Sequence, residues 1–170
     1  MTALQIEQRK AHRDWLKSNL NGFTHALTLT LKPYRNVMTD YGLIRESLTV
    51  LNANKNLQFF TKRLNASLYG NEVKRRGKTI ALMGLLEGQA TRKLLHYHCA
   101  IGNAPEHMSD DLFFKKIQSA WEQTPFGNTQ MKFTRLANDG WVNYIDKEIG
   151  LNYADVLDVM NLRLPTTTLT

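Results

Sequence analysis

Chemistry is first visible in the stretch KLLHYHCAIG, residues 93–102, where His96-Tyr97-His98 sets two imidazoles two residues apart. In a β-strand such residues share one face, with Cα atoms about 6–7 Å apart, near enough to converge on one divalent ion. Leu95, Tyr97, Cys99 and Ile101 would then share the other face. Tyr97 is therefore read as packing, and the imidazoles need not interrupt a core. Two imidazoles are an incomplete ligand set. Glu87, nine residues before His96 and at the end of the apolar run TIALMGLLE, is the candidate third ligand. A hairpin closed through GQATRK, 88–93, pairs residues whose numbers sum to 181 or 183. The second register puts Glu87 opposite His96 and the first puts it on a diagonal; both turn it to the histidine face. Mixed imidazole and carboxylate ligation with open positions suits Mn²⁺ or Mg²⁺ in phosphate transfer, and Zn²⁺ or Co²⁺ could also fit. Without Glu87 the plainer reading, two half-exposed polar residues on a strand, would stand equally well.

A second constellation lies in GWVNYIDKEIG, where Tyr144 and Lys147 are three apart and Glu148 follows. On a helix these neighbour one another. A phenol of ordinary pKa is a poor nucleophile unless its phenolate is stabilised or its target activated. A metal polarising a phosphate supplies activation, and a nearby ammonium neutralises developing charge. A helical tyrosine beside a lysine is also commonplace, so the pair carries weight only together with the metal group.

The whole chain is consistent with work on a polyanion. It has 170 residues, enough for one domain with its own core, and 22 Lys+Arg against 15 Asp+Glu, a net charge of +7. The single cysteine, Cys99, excludes an internal disulfide or a Cys-rich zinc site and fits a reducing, cytoplasmic setting. The first residues are too charged for a signal peptide, and no apolar run approaches the ~20 residues that span a bilayer, so no membrane partner is expected.

The elements that must position these residues follow from periodicity. Residues 3–20 read as an amphipathic helix with Leu4, Ala11, Trp15 and Leu16 as its stripe. FTHALTLTLK, 23–32, alternates Ala26/Thr28/Thr30 with Leu27/Leu29/Leu31, a half-buried strand stopped by Pro33. Residues 42–69 read as helical, with Leu43, Leu48, Leu51, Phe59, Phe60 and Leu64 toward a core and a possible break at NANKN, 52–56. A basic turn at 71–78 precedes strands at 79–87 and 94–102, which form a hairpin. Ser109 caps a helix over 109–123 with Leu112, Phe113, Ile117, Ala120 and Trp121 as its apolar stripe. A strand at 128–136 and a short helix at 138–150 follow. The order predicts an α+β fold of the split βαβ, ferredoxin-like or RRM-like kind, an antiparallel sheet with helices on one face and the other face free. Residues 1–22 would be an appended helix, 23–150 the domain and 151–170 a tail.

Taken together, HYHCAIG, the acid before it, YIDK on a later helix and the FTHALTLTLK strand resemble the HUH endonuclease superfamily, specifically the single-tyrosine rolling-circle replication initiators. The resemblance covers roughly residues 23–150, with Tyr144 46 residues after His98. It implies the HUH nuclease fold, a divalent metal (Mn²⁺ or Mg²⁺) held by Glu87, His96 and His98, and Tyr144 as the nucleophile on single-stranded origin DNA. The implied product is a 5′-phosphotyrosine and a free 3′-OH, with Lys147 steadying the phosphate or the tyrosine. No second tyrosine follows Tyr144 at helical spacing, Tyr153 lying beyond Gly150, and no Gly-x-x-x-x-Gly-Lys-Ser/Thr loop is present. The chain would thus rely on a host helicase or be the nuclease domain of a longer protein. Arg75, Arg76 and Lys78 before the hairpin and Arg92 and Lys93 within it are candidate phosphate contacts, with Lys132 and Arg135 on the last strand as further ones. A single-tyrosine transposase of the same superfamily and a non-catalytic RRM-like nucleic-acid-binding module are the alternatives.

Overall fold

A computed structural model describes residues 2–89, 94–136, 140–148 and 156–166, with the backbone alone described at 146–148. Its order is α1 (Ala3–Ser18), β1 (Phe23–Leu31), β2 (Tyr34–Thr39), β3 (Gly42–Ser47), α2 (Val50–Tyr69), α3 (Glu72–Arg76), β4 (Ala81–Glu87), β5 (His96–Gly102), α4 (Asp110–Glu122), β6 (Gly127–Arg135) and α5 (Gly140–Glu148). The fold is α+β. Four antiparallel strands run β4-β5-β1-β6, so the hairpin strand β5 enters between β1 and β4.

The leucines of β1 behave as their alternation predicts. Leu27, Leu29 and Leu31 are buried with Tyr97, Cys99 and Ile101 of β5 beneath α2 and α4, which contribute Leu57, Phe60, Leu64, Phe113, Ile117 and Trp121. Burying each such side chain contributes about 1.5–3 kcal/mol. Ser109 caps α4 by accepting from the Leu112 N–H, as expected, but Leu112 itself is exposed.

The opposite face is not free, contrary to the sequence reading. Leu16 of α1 and Val142 and Ile145 of α5 cover Ala81, Met83, Leu85 and Ala100. The reason is that β4 is apolar on both sides, and all seven of its residues are buried, so the sheet needs a second cover there. Along α1, Leu4 and Ala11 point to solvent, and the stripe reduces to Trp15 and Leu16. Residues 156–163, assigned above to the tail, line the outer edge of β4. Leu82 and Arg163 exchange both backbone bonds at 2.8 Å, and Leu86 N–H donates to the Val156 carbonyl. An otherwise open sheet edge is thereby protected.

The segment 34–47 is a β-hairpin, β2 paired with β3, where the sequence pattern suggested helix from residue 42. Its side chains alternate, but the apolar ones do not form a core face: Met38, Leu43 and Ile44 are all exposed. The helix starts only at Thr49, which caps Asn52 N–H, and then runs unbroken through NANKN. Asn56 does not break it because its amide is buried, donating to Thr124 Oγ1 and accepting from Phe126 N–H. Leu51 and Phe59 lie on the helix's exposed side.

One buried polar network ties the C-terminal segment to the core. The Tyr97 hydroxyl lies 2.9 Å from Asn54 Oδ1 and 3.1 Å from Asp158 Oδ2. Asn161 donates its amide to Asp158 Oδ2 at 2.8 Å and to the Asn54 carbonyl at 2.9 Å. Asp158→Ala leaves buried donors without their acceptor, which costs about 1–3 kcal/mol. The expected result is a thermal midpoint lowered by about 2–12 °C, read by circular dichroism; an unchanged midpoint would refute the network's role.

Candidate functional site

The three candidate metal ligands assemble at one end of the sheet. Glu87 is the last residue of β4 and pairs directly with His96, the first of β5, which is the 183 register. His98 lies two residues on, on the same face, with its neighbours Thr28 on β1 and Lys132 on β6 in one row across the strands. Glu87 Oε2 is 3.2 Å from His96 Nε2 and 3.0 Å from His98 Nε2, and the three ligand atoms lie within 4.8 Å of one another.

Those separations fit an ion. Two donors each about 2.1 Å from one metal, at tetrahedral or octahedral angles, stand about 3.0–3.4 Å apart. Protonation logic points the same way. His96 Nδ1 is 2.9 Å from the Leu94 carbonyl, an acceptor only, so Nδ1 carries the hydrogen and a neutral ring offers a bare Nε2. That lone pair faces a carboxylate oxygen, an arrangement that needs a cation or a proton between them. His98 Nδ1 lies 3.4 Å from Thr28 Oγ1, an outer contact of the kind that orients a ligating ring. Glu87 and His98 are buried, while the His96 side chain is 18 % exposed, so the set opens to solvent past His96.

Tyr144 comes to this group from α5. Val142 and Ile145 turn inward, and the phenol, 55 % exposed, is set edge-on to the His98 ring with centroids 5.7 Å apart. Between α5 and the sheet lies a cavity of about 300 Å³ bordered by Thr28, His98, Lys132, Trp141 and Tyr144, continued by a second past Thr30, His96 and Gln130. Lys132 makes no ion pair with a described residue and borders both. Tyr97 is excluded as a reactive group: burial, and then the Asp158 charge, push its phenol far above the ordinary value.

Not every candidate gathers here. Arg75, Arg76 and Lys78 stand before the opposite end of β4, with Arg76 and Lys78 3.3 and 3.8 Å from Glu72; six strand steps, about 20 Å, separate them from Glu87. Arg92 and Lys93 lie outside the described residues, as does Tyr153, and the side chain of Lys147 lies outside them too. Thr28, Thr30 and Trp141 were not singled out by sequence reasoning. The two threonines were nonetheless readable as the polar face of β1, in register with the histidines. Compared with known proteins, the chain matches no family model, no curated protein and no solved structure.

Proposed function

We propose that this protein is a metal-dependent nicking and joining endonuclease of single-stranded DNA, of the HUH kind, acting through a covalent tyrosine intermediate as rolling-circle initiators do. The observation that carries this reading is the juxtaposition of an exposed tyrosine with a Glu-His-His group across one groove. The four-stranded antiparallel sheet with its helices, an α+β arrangement, is compatible with the ferredoxin-like, split βαβ form of that fold. Glu87, His96 and His98 would hold a divalent ion, Mn²⁺ or Mg²⁺, which when bound would polarise the scissile phosphate. Tyr144 Oη would attack phosphorus. The P–O3′ bond would break, leaving a 5′-phosphotyrosine and a 3′-OH, the phenolic proton passing in net terms to the departing oxygen. The phosphodiester's energy is kept in the new bond, so a 3′-OH can reverse the step and rejoin a strand.

Lys132 would contribute an ammonium on the groove wall opposite Tyr144, where charge develops on the phosphate. Lys132→Ala is expected to slow cleavage about 10²-fold with the metal affinity unchanged, and Lys132→Arg to restore part of the rate. Equal rates for Lys132→Ala and the parent would remove Lys132 from this role. The reading as a whole is tested by incubating the protein with labelled single-stranded DNA and Mn²⁺ and looking for an adduct that survives denaturation. No cleavage of any single strand with any divalent ion would favour the RRM-like binding module instead.

A further inference from the structure

A second concavity lies away from the groove. Lys62 and Asn65 of α2, Lys74 of α3, Lys78 and Thr79 of the following loop, and Arg163 of the C-terminal segment converge on a cavity of about 370 Å³. Four cations drawn from residues a hundred positions apart line it, and no carboxylate does so among the described residues. Lys62, Lys74 and Arg163 make no ion pair with a described residue, and Lys78 has only a long contact, 3.8 Å, to Glu72.

The framework beneath these cations is rigid. Asn65 is buried; its amide donates to Thr79 Oγ1 at 2.8 Å and accepts from Ile80 N–H at 2.9 Å, which pins the loop to α2. Gly77, at φ 65°, makes the left-handed turn that ends α3 and brings Lys78 back over the cavity. Arg163 is fixed by its paired backbone bonds to Leu82. Four cations around one cavity, with no acid among the described residues that line it, make its potential positive, which a bound anion would relieve.

We propose that this cavity binds a phosphate group, and that the phosphate belongs to a nucleic-acid backbone held at the end of β4 remote from Glu87. The class of ligand follows from the lining: several ammonium groups and a guanidinium, with asparagine and threonine beside them and, among the described residues, no aromatic side chain on which a base would stack. Such a contact would position a strand without reading its sequence. The proposal does not depend on the nuclease reading, and its test uses no cleavage.

Binding of a fluorescein-labelled dT20 would be measured by anisotropy in EDTA across a salt series, for the parent chain and for Lys62→Ala/Lys74→Ala/Arg163→Ala. Each single-strand phosphate contact contributes about 0.7 to the slope of log K against log salt. The triple variant should therefore bind at least tenfold more weakly at low salt, with the slope reduced by about 0.7, the share of one phosphate contact. The lysine-to-arginine version Lys62→Arg/Lys74→Arg should bind as the parent does. All three positions are exposed, so circular dichroism should show the same fold and midpoint. In parallel, inorganic pyrophosphate would be titrated by calorimetry. If dT20 binds the triple variant as it binds the parent while pyrophosphate binding is lost, the ligand is a free phosphate compound and the nucleic-acid assignment is overturned. If neither ligand distinguishes the two proteins, the site itself is refuted.

Discussion

Tyr144→Phe is expected to abolish the denaturation-resistant DNA adduct while leaving the affinity for an uncleaved single strand within about twofold of the parent. The substitution removes only the hydroxyl oxygen. The ring keeps its edge-on contact with His98, and Val142 and Ile145 still anchor α5 in the second core cluster, so the groove should retain its shape. What disappears is the one exposed oxygen nucleophile that the described residues set beside the Glu-His-His group, and a covalent intermediate cannot form without it. Tyr97→Phe is the informative comparison. That phenol lies under the helices, is hydrogen-bonded to Asn54 and Asp158, and has its pKa raised by burial. Its loss should lower stability by roughly 1 kcal/mol and leave the adduct intact. An adduct that persists in Tyr144→Phe would assign the chemistry to another group.

These residues show why the site was more legible than its surroundings. Period-two reasoning needs only local chain geometry, and the hairpin arithmetic linking Glu87 to His96 needs only a loop length, so the shared face was recoverable and the register was narrowed to two, of which the structure has the 183 pairing. The position of Tyr144 over His98 is a tertiary fact. Helical spacing placed the phenol on a helix face but could not say against which strand that face would lie.

Misread segments have physical causes as well. The β2–β3 hairpin carries leucine, isoleucine and methionine that solvent reaches, so a rule that equates apolar spacing with burial assigns it wrongly. The α2 helix survives a run of asparagines because Asn56 finds partners seventy residues away, and no local propensity records that. The free face was wrong for a related reason: β4 is apolar on both sides, which calls for covers on both. The covers come from the two ends of the described chain, α1 on one side in sequence and α5 with residues 156–163 on the other. Charge singled out the cations of KRRGK, but charge does not say at which end of a strand a loop will stand, and Arg75, Arg76 and Lys78 stand at the end of β4 remote from Glu87.

Glu87→Gln separates a metal site from a merely hydrogen-bonded carboxylate, and its expected effect on ion binding is as large as that of deleting a histidine. The amide is isosteric, and its N–H can donate to the bare Nε2 of His96, so the apoprotein should fold with an unchanged or slightly higher midpoint. The ion, however, loses its one anionic ligand in a set that is otherwise two neutral imidazoles. Mutating an outer contact typically costs 10–100-fold in metal affinity, which sets the scale for Thr28→Val; Glu87→Gln and His98→Ala, which remove ligands themselves, should each cost more than about 100-fold in Mn²⁺ affinity by calorimetry. Linkage makes the same point without any DNA. Mn²⁺ at a hundred times its dissociation constant stabilises the folded chain by about 2.7 kcal/mol, a rise of roughly 5–10 °C for a protein of this size. The parent should show that rise and both ligand variants should lose it. If Mn²⁺ moves the midpoint of all three proteins equally, or of none, the Glu87-His96-His98 group is a hydrogen-bonded cluster at the end of the sheet, and the nuclease reading falls with it.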